Sequence, residues 1–254
     1  MSEQTLKRVD LIFGEYSSEK YKVLASTLQR SNDEIIRDLL DSGLRGRGGA
    51  GFPTAMKWKF TAEAPGDEKF VVCNADEGEP GTFKDREILS RVPRKVFSGM
   101  AICGRVIGAK MGLMYLRGEY RFMLPDLQKE LDIYHEHTRS LGYDFPIEIR
   151  MGSGAYICGE ESALFESMEG GRGEPRNKPP YPTTSGFMKK PTVINNVETF
   201  VNVMMIMRLG PDQYKKLGTT DSRGSKVFSV SGDTPIPGIY ELELGMPLNE
   251  FVDG

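Results

Sequence analysis

An α/β domain on a largely parallel sheet is the fold that the sequence predicts, and two observations carry the prediction. Short apolar runs ending in polar residues alternate with stretches of helical periodicity over residues 30–210, the pattern of strand–helix–strand units. Over the last 30 residues the helical pattern gives way to two short strand-like runs, which read as the start of a different, β-rich unit. The size agrees: 254 residues, 39% hydrophobic and 27% charged, suffice for one good-sized core plus a small second unit. The chain divides into a lead-in over 1–31, an α/β domain over 32–210 and an incomplete β-rich unit over 211–254.

The elements follow in order. The lead-in is irregular or helical. Asn32 or Asp33 caps a helix with Ile35, Ile36, Leu39 and Leu40 on one face, which stops near Gly43. A glycine-rich loop, Gly43 to Pro53, comes next. Phe70 to Asn74 is a buried strand, and an acidic loop from Asp76 to Gly81 follows it. Pro93 to Ala109 is helical, Gly112 to Gly118 is a second strand, and Pro125 to Thr138 is a helix with Leu127, Leu131 and Tyr134 on one face. Ile147 to Met151 alternates as a third strand, and Gly159 to Met168 is helical. The prolines of Glu174 to Pro191 exclude a regular helix there. Thr192 to Leu209 is a strongly apolar helix. After a composition break over 210–225, Val227–Val230 and Ile239–Leu242 form a hairpin.

Several function classes are disfavoured. A net charge of −3 lacks the basic excess of a nucleic-acid binder. No apolar run approaches the roughly 20 residues that span a bilayer. The polar stretch Met1 to Asp10 is not a signal peptide. Both point to a cytoplasmic protein. Cys73, Cys103 and Cys158 form no Cys-x-x-Cys pair, so the short spacing of a zinc or iron–sulfur site is missing and three reduced, buried thiols are expected. His135 and His137, two apart, fall on different faces of a helix and read as a solvated helix end rather than a metal pair.

Two loops carry chemistry. Gly46-Arg47-Gly48-Gly49-Ala50-Gly51 matches Gly-x-Gly-x-x-Gly, but a helix precedes it and Phe52-Pro53 follows, so the dinucleotide fingerprint of a strand–turn–helix unit is rejected. A phosphate loop closing in Gly-Lys-Ser/Thr is missing too. The glycines still let the backbone approach a ligand and aim several N–H groups at one anion. Arg45, Arg47 and Lys57 add positive charge, and Phe52, Trp58 and Phe60 add flat apolar surface. That mixture suits a planar, phosphate-bearing ligand; a flexible surface loop is the plain alternative. Asn74, Asp76, Glu77 and Glu79 crowd the end of the first strand, where they can bind sugar hydroxyls or lie solvated.

Four blocks stand in order: Ser42 to Thr54 with Lys57-Trp58; Asn74-Ala75-Asp76-Glu77-Gly78-Glu79-Pro80-Gly81-Thr82; Gly154-Ala155-Tyr156-Ile157-Cys158-Gly159-Glu160-Glu161-Ser162-Ala163-Leu164; and Asn195-Asn196-Val197-Glu198-Thr199. From about residue 32 onward the chain resembles the flavoprotein subunit of complex I and its relatives in NAD-reducing and electron-bifurcating hydrogenases and NAD-dependent formate dehydrogenases. The resemblance implies an FMN-binding, Rossmann-like parallel sheet flanked by helices, then the start of a β-grasp (ubiquitin-like) unit. It implies FMN as cofactor, NADH as substrate and hydride transfer between them.

By the same resemblance, Gly46, Arg47, Gly48, Gly49, Lys57, Asn74, Asp76, Glu77, Gly159, Glu160, Asn195, Asn196 and Thr199 hold FMN. Phe52 and Phe60 sandwich the adenine of NADH, Glu79 sits by the nicotinamide as the catalytic carboxylate, and Tyr156 lies beside the rings. Glu161 faces the adenosine ribose and repels the extra phosphate of NADPH, while Lys178 and Tyr181 lie near the dinucleotide. Tyr181 and Asn177 stand where the family usually has Phe. Met56 and Lys59 are also unusual, on what reads as a loop. Family members continue into a helical bundle whose four cysteines hold a 4Fe-4S cluster; the sequence stops at Gly254 without those ligands. The isolated chain is therefore expected to reduce soluble acceptors and not quinone. The implied partners are a thioredoxin-like 2Fe-2S subunit and a larger iron–sulfur subunit, which could hold the protein at the cytoplasmic membrane face. A flavin-binding scaffold that no longer turns over is the competing reading; Phe52, Glu79 and Glu161 speak against it.

Overall fold

The computed structural model describes residues 9–14 and 22–253; the rest of the lead-in, residues 1–8 and 15–21, lies outside the described residues. In chain order the elements are α1 (Lys22–Leu28), α2 (Asn32–Ser42), α3 (Thr54–Glu63), β1 (Phe70–Ala75), α4 (Lys84–Arg91), α5 (Pro93–Ile107), β2 (Met111–Leu116), α6 (Leu124–Ser140), β3 (Ile147–Met151) and α7 (Glu161–Met168). A helical turn α8 (Pro182–Ser185), β4 (Thr192–Asn196), α9 (Val197–Leu209), α10 (Pro211–Tyr214), β5 (Ser225–Val230), β6 (Gly238–Glu243) and α11 (Leu248–Asp253) complete them.

β1 to β4 form one parallel sheet in the order β3-β2-β1-β4, and β5 and β6 form a separate antiparallel pair. The sheet is covered on both faces. Val71, Cys73, Ala75, Met114, Leu116 and Val193 point into the main core with Trp58, Phe97, Tyr134 and Phe200. Their neighbours in sequence, Phe70, Val72, Leu113, Tyr115 and Ile194, point the other way onto Leu164, Phe165 and Phe187. Burial on both sides explains the unbroken apolar runs, and each buried side chain of this kind contributes roughly 1.5–3 kcal/mol. On the main face α5 and α9 touch closely at Gly99, where a Cβ would collide with the Phe200 carbonyl oxygen. That contact fixes the start of α9 over the sheet.

The α/β alternation, the three strands and the hairpin stand where the sequence places them, and all three cysteines are free and buried. Several details differ. The cap of α2 is Ser31: its hydroxyl accepts from Glu34 N while the Glu34 carboxylate accepts from Ser31 N, a capping box that the Ser-x-x-Glu spacing encodes. A helix, α3, does follow the glycine loop, so Met56 and Lys59 are helical. The expected helix over Thr192–Leu209 is a strand running directly into a helix. Asn196 ends β4 and caps α9, its side chain accepting from Glu198 N, so the apolar run belongs to two elements that share a residue. His135 is half-buried rather than a free helix end: its Nε2 accepts from Ile147 N at 3.0 Å and ties α6 to the start of β3.

Candidate functional site

In the order β3-β2-β1-β4 the chain leaves β1 toward β2 on one side and later returns to β4 on the other. A crevice opens at such a reversal, beyond the carboxyl ends of the two strands that flank it. Here those ends are Asn74-Ala75 and Asn195-Asn196, with Asn74 opposite Asn196 in register. A cavity of about 570 Å³ lies there, within the usual range of roughly 300–1,000 Å³ for small-molecule sites. A larger one of about 920 Å³ lies between α4, α5, α6 and the segment around Phe13, lined by opposed charges including Arg86, Glu87, Asp126 and Glu130. No end of β1 to β4 and no part of the glycine loop lines it, so the smaller cavity is the candidate site.

The glycine loop reaches this crevice from outside the sheet, because it joins α2 to α3 ahead of β1. An antiparallel bridge between Arg45 and Pro53 pinches its base, and Gly46 N donates to Phe52 O at 2.9 Å. At Gly48 the loop passes close to β4: a Cβ there would lie 3.1 Å from Asn196 Cβ. Gly46, Gly48, Ala50, Gly51 and Phe52 line the cavity. The floor is Asn74, Ile194, Asn195, Asn196 and Thr199, and α3 contributes Lys57 and Phe60. Gly159, Glu160 and Glu161 form another wall, and Lys178, Tyr181, Pro182 and Thr183 also line the cavity. Thus most of the expected residues converge; Ala50, Gly51, Pro182, Thr183 and Ile194 were not expected, although Ala50 and Gly51 belong to the quoted glycine block.

The floor is held from beneath. Trp58, fully buried, donates from Nε1 to Asn195 Oδ1 at 3.1 Å. Lys57 Nζ donates to Ile194 O at 2.9 Å, and burial lowers its pKa against the pull of Glu161. Asn74 Nδ2 donates to Gly159 O at 2.8 Å. Asn196 is used up internally: its Nδ2 donates to Asp85 Oδ2 at 2.7 Å, and its Oδ1 accepts from Lys84 Nζ at 3.0 Å.

Arg47, Gly49, Asp76, Glu77, Glu79 and Tyr156 are absent from the lining. Glu77 is buried and accepts from Asp85 N, Arg86 N and the Tyr120 hydroxyl, so it caps α4. Arg47 turns its guanidinium inward, to Arg223 O at 2.7 Å and the Tyr214 hydroxyl at 3.3 Å; only its backbone serves the loop, donating to Thr199 Oγ1 at 2.9 Å. Asp76 stands next to the wall, with Oδ2 buried and without a hydrogen-bond partner. Burial pushes its pKa up to about 6 against the Arg117 charge. Glu79 and Tyr156 are exposed, and the Tyr156 hydroxyl donates to Glu79 Oε2 at 2.7 Å. That carboxylate raises the Tyr156 pKa.

Charges cross the wall near Glu160. This carboxylate caps α7 by accepting from Ser162 N and Ala163 N at 2.9 Å each. Its other oxygen accepts from Lys178 Nζ at 3.0 Å, and Lys178 also donates to Glu161 Oε1 at 2.7 Å. Burial alone would raise the Glu160 pKa, but Ser162, Ala163 and Lys178 hold it low.

A bound FMN fits these residues. The orphaned Asp76 oxygen asks for a hydroxyl donor, Lys57 and the start of α9 suit a phosphate, and the bare Gly48 lets the loop backbone come close to Asn196 at the edge of the cavity. Among the described residues no group of three or more His, Cys, Asp or Glu could hold a metal ion, and no helix is long and apolar enough to cross a membrane.

Residues 39–205 match the family described as the Nuo51 FMN-binding domain. The alpha subunit of the NAD-reducing hydrogenase HoxS of Cupriavidus necator is 48% identical over 99% of this chain and 43% of its own length. An NADH-quinone oxidoreductase subunit of Aquifex aeolicus is 47% identical over 91% of this chain and 56% of its own. A crystal structure of an H2-reduced NAD+-reducing [NiFe]-hydrogenase superposes with a TM-score of 0.86 at 47% identity, over 90% of this chain and 40% of that one. The chain spans about half the length of the curated relatives it matches. With the family matched across the glycine loop, the acidic turn and the start of α9, the chain belongs to the Nuo51 FMN-binding domain family.

Proposed function

We propose that the chain binds FMN at the switch point and NADH at the mouth of the same cavity, as the NADH-oxidising module of a larger electron-transfer assembly. The convergence of the glycine loop, Lys57 and the start of α9 on the ends of β1 and β4 carries this reading. Asn195, Thr199, Lys57 and the loop backbone hold the phosphate end; Asn74 and Asp76 take the sugar-alcohol hydroxyls. Phe52 and Phe60 offer stacking faces for adenine, with Tyr181 beside them. Glu161 and Lys178 meet the ribose, and Glu79 with Tyr156 borders the nicotinamide. FMN, when bound, supplies a hydride acceptor that can release its electrons singly. The protein supplies alignment and excludes competing geometry.

The β5–β6 pair fits the start of a β-grasp unit over 211–254, beyond a nucleotide-binding domain over 32–210. The relatives' names as subunits favour a multisubunit setting. A thioredoxin-like 2Fe-2S subunit and a larger iron–sulfur subunit would be its neighbours there, at the cytoplasmic membrane face. The test is an anaerobic titration of the FMN-loaded chain followed by its visible spectrum. Bleaching of the flavin bands by NADH, and much less by NADPH, is expected. Bound flavin that stays oxidised would leave a scaffold, and no bound flavin would overturn the assignment.

A further inference from the structure

A buried polar network joins the floor of the cavity to the β5–β6 pair, which lines no part of the cavity. Its centre is Glu198, fully buried in the first turn of α9. One carboxylate oxygen accepts from Val227 N in β5 at 2.8 Å; the other accepts from Lys226 Nζ and lies 3.1 Å from Lys84 Nζ. Lys84 donates in turn to Asn196, the residue that ends β4 and faces the glycine loop at Gly48. Burial by itself would raise the Glu198 pKa, yet Lys84 and Lys226 hold it low, so the carboxylate is ionised where it is buried.

The glycine loop has its own connection. The Arg47 guanidinium passes beneath the loop to Arg223 O, two residues before β5, and to the Tyr214 hydroxyl, which donates to Asn202 of α9 at 2.8 Å. The apolar attachment is slight by comparison: from the pair, Val227 joins the main core and Ile239 packs against it. Ion pairs of this burial lose far more than they gain when one partner leaves. Detaching β5 would therefore take Lys226 Nζ and Val227 N from the buried Glu198, leaving that carboxylate to Lys84 alone, and would draw Arg223 O away from Arg47 beneath the loop.

We propose that the β5–β6 pair is a positioning element for the cofactor site, with Glu198 as the residue that transmits its docking to the phosphate end of the cavity. The proposal rests on the reading of that cavity as an FMN site. Docking and binding are then linked, and linkage is reciprocal: whatever factor the docked pair adds to FMN affinity, FMN adds to docking.

The experiment compares backbone amide hydrogen exchange of the whole wild-type chain with and without saturating FMN, together with FMN affinity by fluorescence. Exchange over 225–230 should slow with FMN, along with the glycine loop. In Glu198→Gln, which keeps an acceptor for Val227 N but removes the charge, FMN affinity should fall within the roughly 5- to 150-fold range of such couplings, and FMN should no longer protect 225–230. Lys226→Met, which leaves the Glu198–Lys84 pair, should show a smaller change of the same kind. FMN that binds the wild type and protects the loop but not 225–230 overturns the coupling alone. A wild-type chain that binds no FMN overturns the reading of the cavity and the coupling with it.

Discussion

The two ends of the cavity are built on different principles. At the strand ends nearly every polar group is engaged by the protein: Asn195 by Trp58, Asn196 by Lys84 and Asp85, the loop amide of Arg47 by Thr199. At the mouth Phe52, Phe60 and Tyr181 are exposed, and the polar link there, Lys178 to Glu161, joins side chains at the surface. A site arranged in advance binds tightly because little order is lost on binding. The inner end is suited to a group that stays, and the outer end to one that must enter and leave.

That contrast can be broken by substitution. Trp58→Ala should be the most damaging, costing about 3–5 kcal/mol of stability and releasing Asn195, so thermal stability and FMN affinity fall together. A variant that loses FMN without losing stability would show that the two are not built as one unit. Phe60→Ala should leave FMN affinity and melting temperature unchanged and raise the KM for NADH about tenfold, since stacking on one base is worth about 1–3 kcal/mol. A parallel loss of FMN would erase the distinction between the ends. Glu161→Gln removes the carboxylate that stands 2.7 Å from Lys178 and 3.9 Å from Lys57, leaving Lys178 paired with Glu160. The ratio of kcat/KM for NADH over NADPH should then drop about tenfold, equivalent to about 1.4 kcal/mol; an unchanged ratio would remove Glu161 from dinucleotide choice.

The smallest effect concerns the support behind the inner end. Burial raises the pKa of Glu241 to about 7, although Ser225 and the Ile12 amide favour its charged form; the nearby Glu198 adds to the rise. A carboxyl whose folded pKa lies above its unfolded one lends stability that is complete below the unfolded value and is lost as pH rises through the folded one. Melting temperature should therefore decline between about pH 5 and about pH 8, by a few degrees, and less so in Glu241→Gln. Equal slopes in both proteins would show that Glu241 titrates normally.

The sequence carried the alternation of strands and helices because both faces of the sheet are covered, which leaves unbroken apolar runs at β1 and β2. It concealed the boundary at Asn196, because a strand that enters a helix without a loop offers no turn residue as punctuation. The cap was nonetheless there to read, an Asn followed two residues later by Glu198. Helix α3 was hidden for another reason: Lys57 and Phe60 serve the cavity while Thr54, Ala55, Trp58 and Thr61 are buried, so apolar periodicity is weak. At the site, the glycines, Lys57 and the asparagines were legible. The direction of Arg47 was not, because its partners lie 167 and 176 residues away in sequence.

Three free thiols buried in different parts of this architecture make the native chain its own stopwatch. Cys73 lies in the central strand, Cys103 in α5, and Cys158 beside Gly159 in the cavity wall. A thiol reagent reaches each only when its surroundings part. Modification at Cys158 thus times the opening of the pocket wall, while Cys73 and Cys103 time the dissolution of the whole core. The gap between those clocks measures how far the pocket wall can part while the core stays intact.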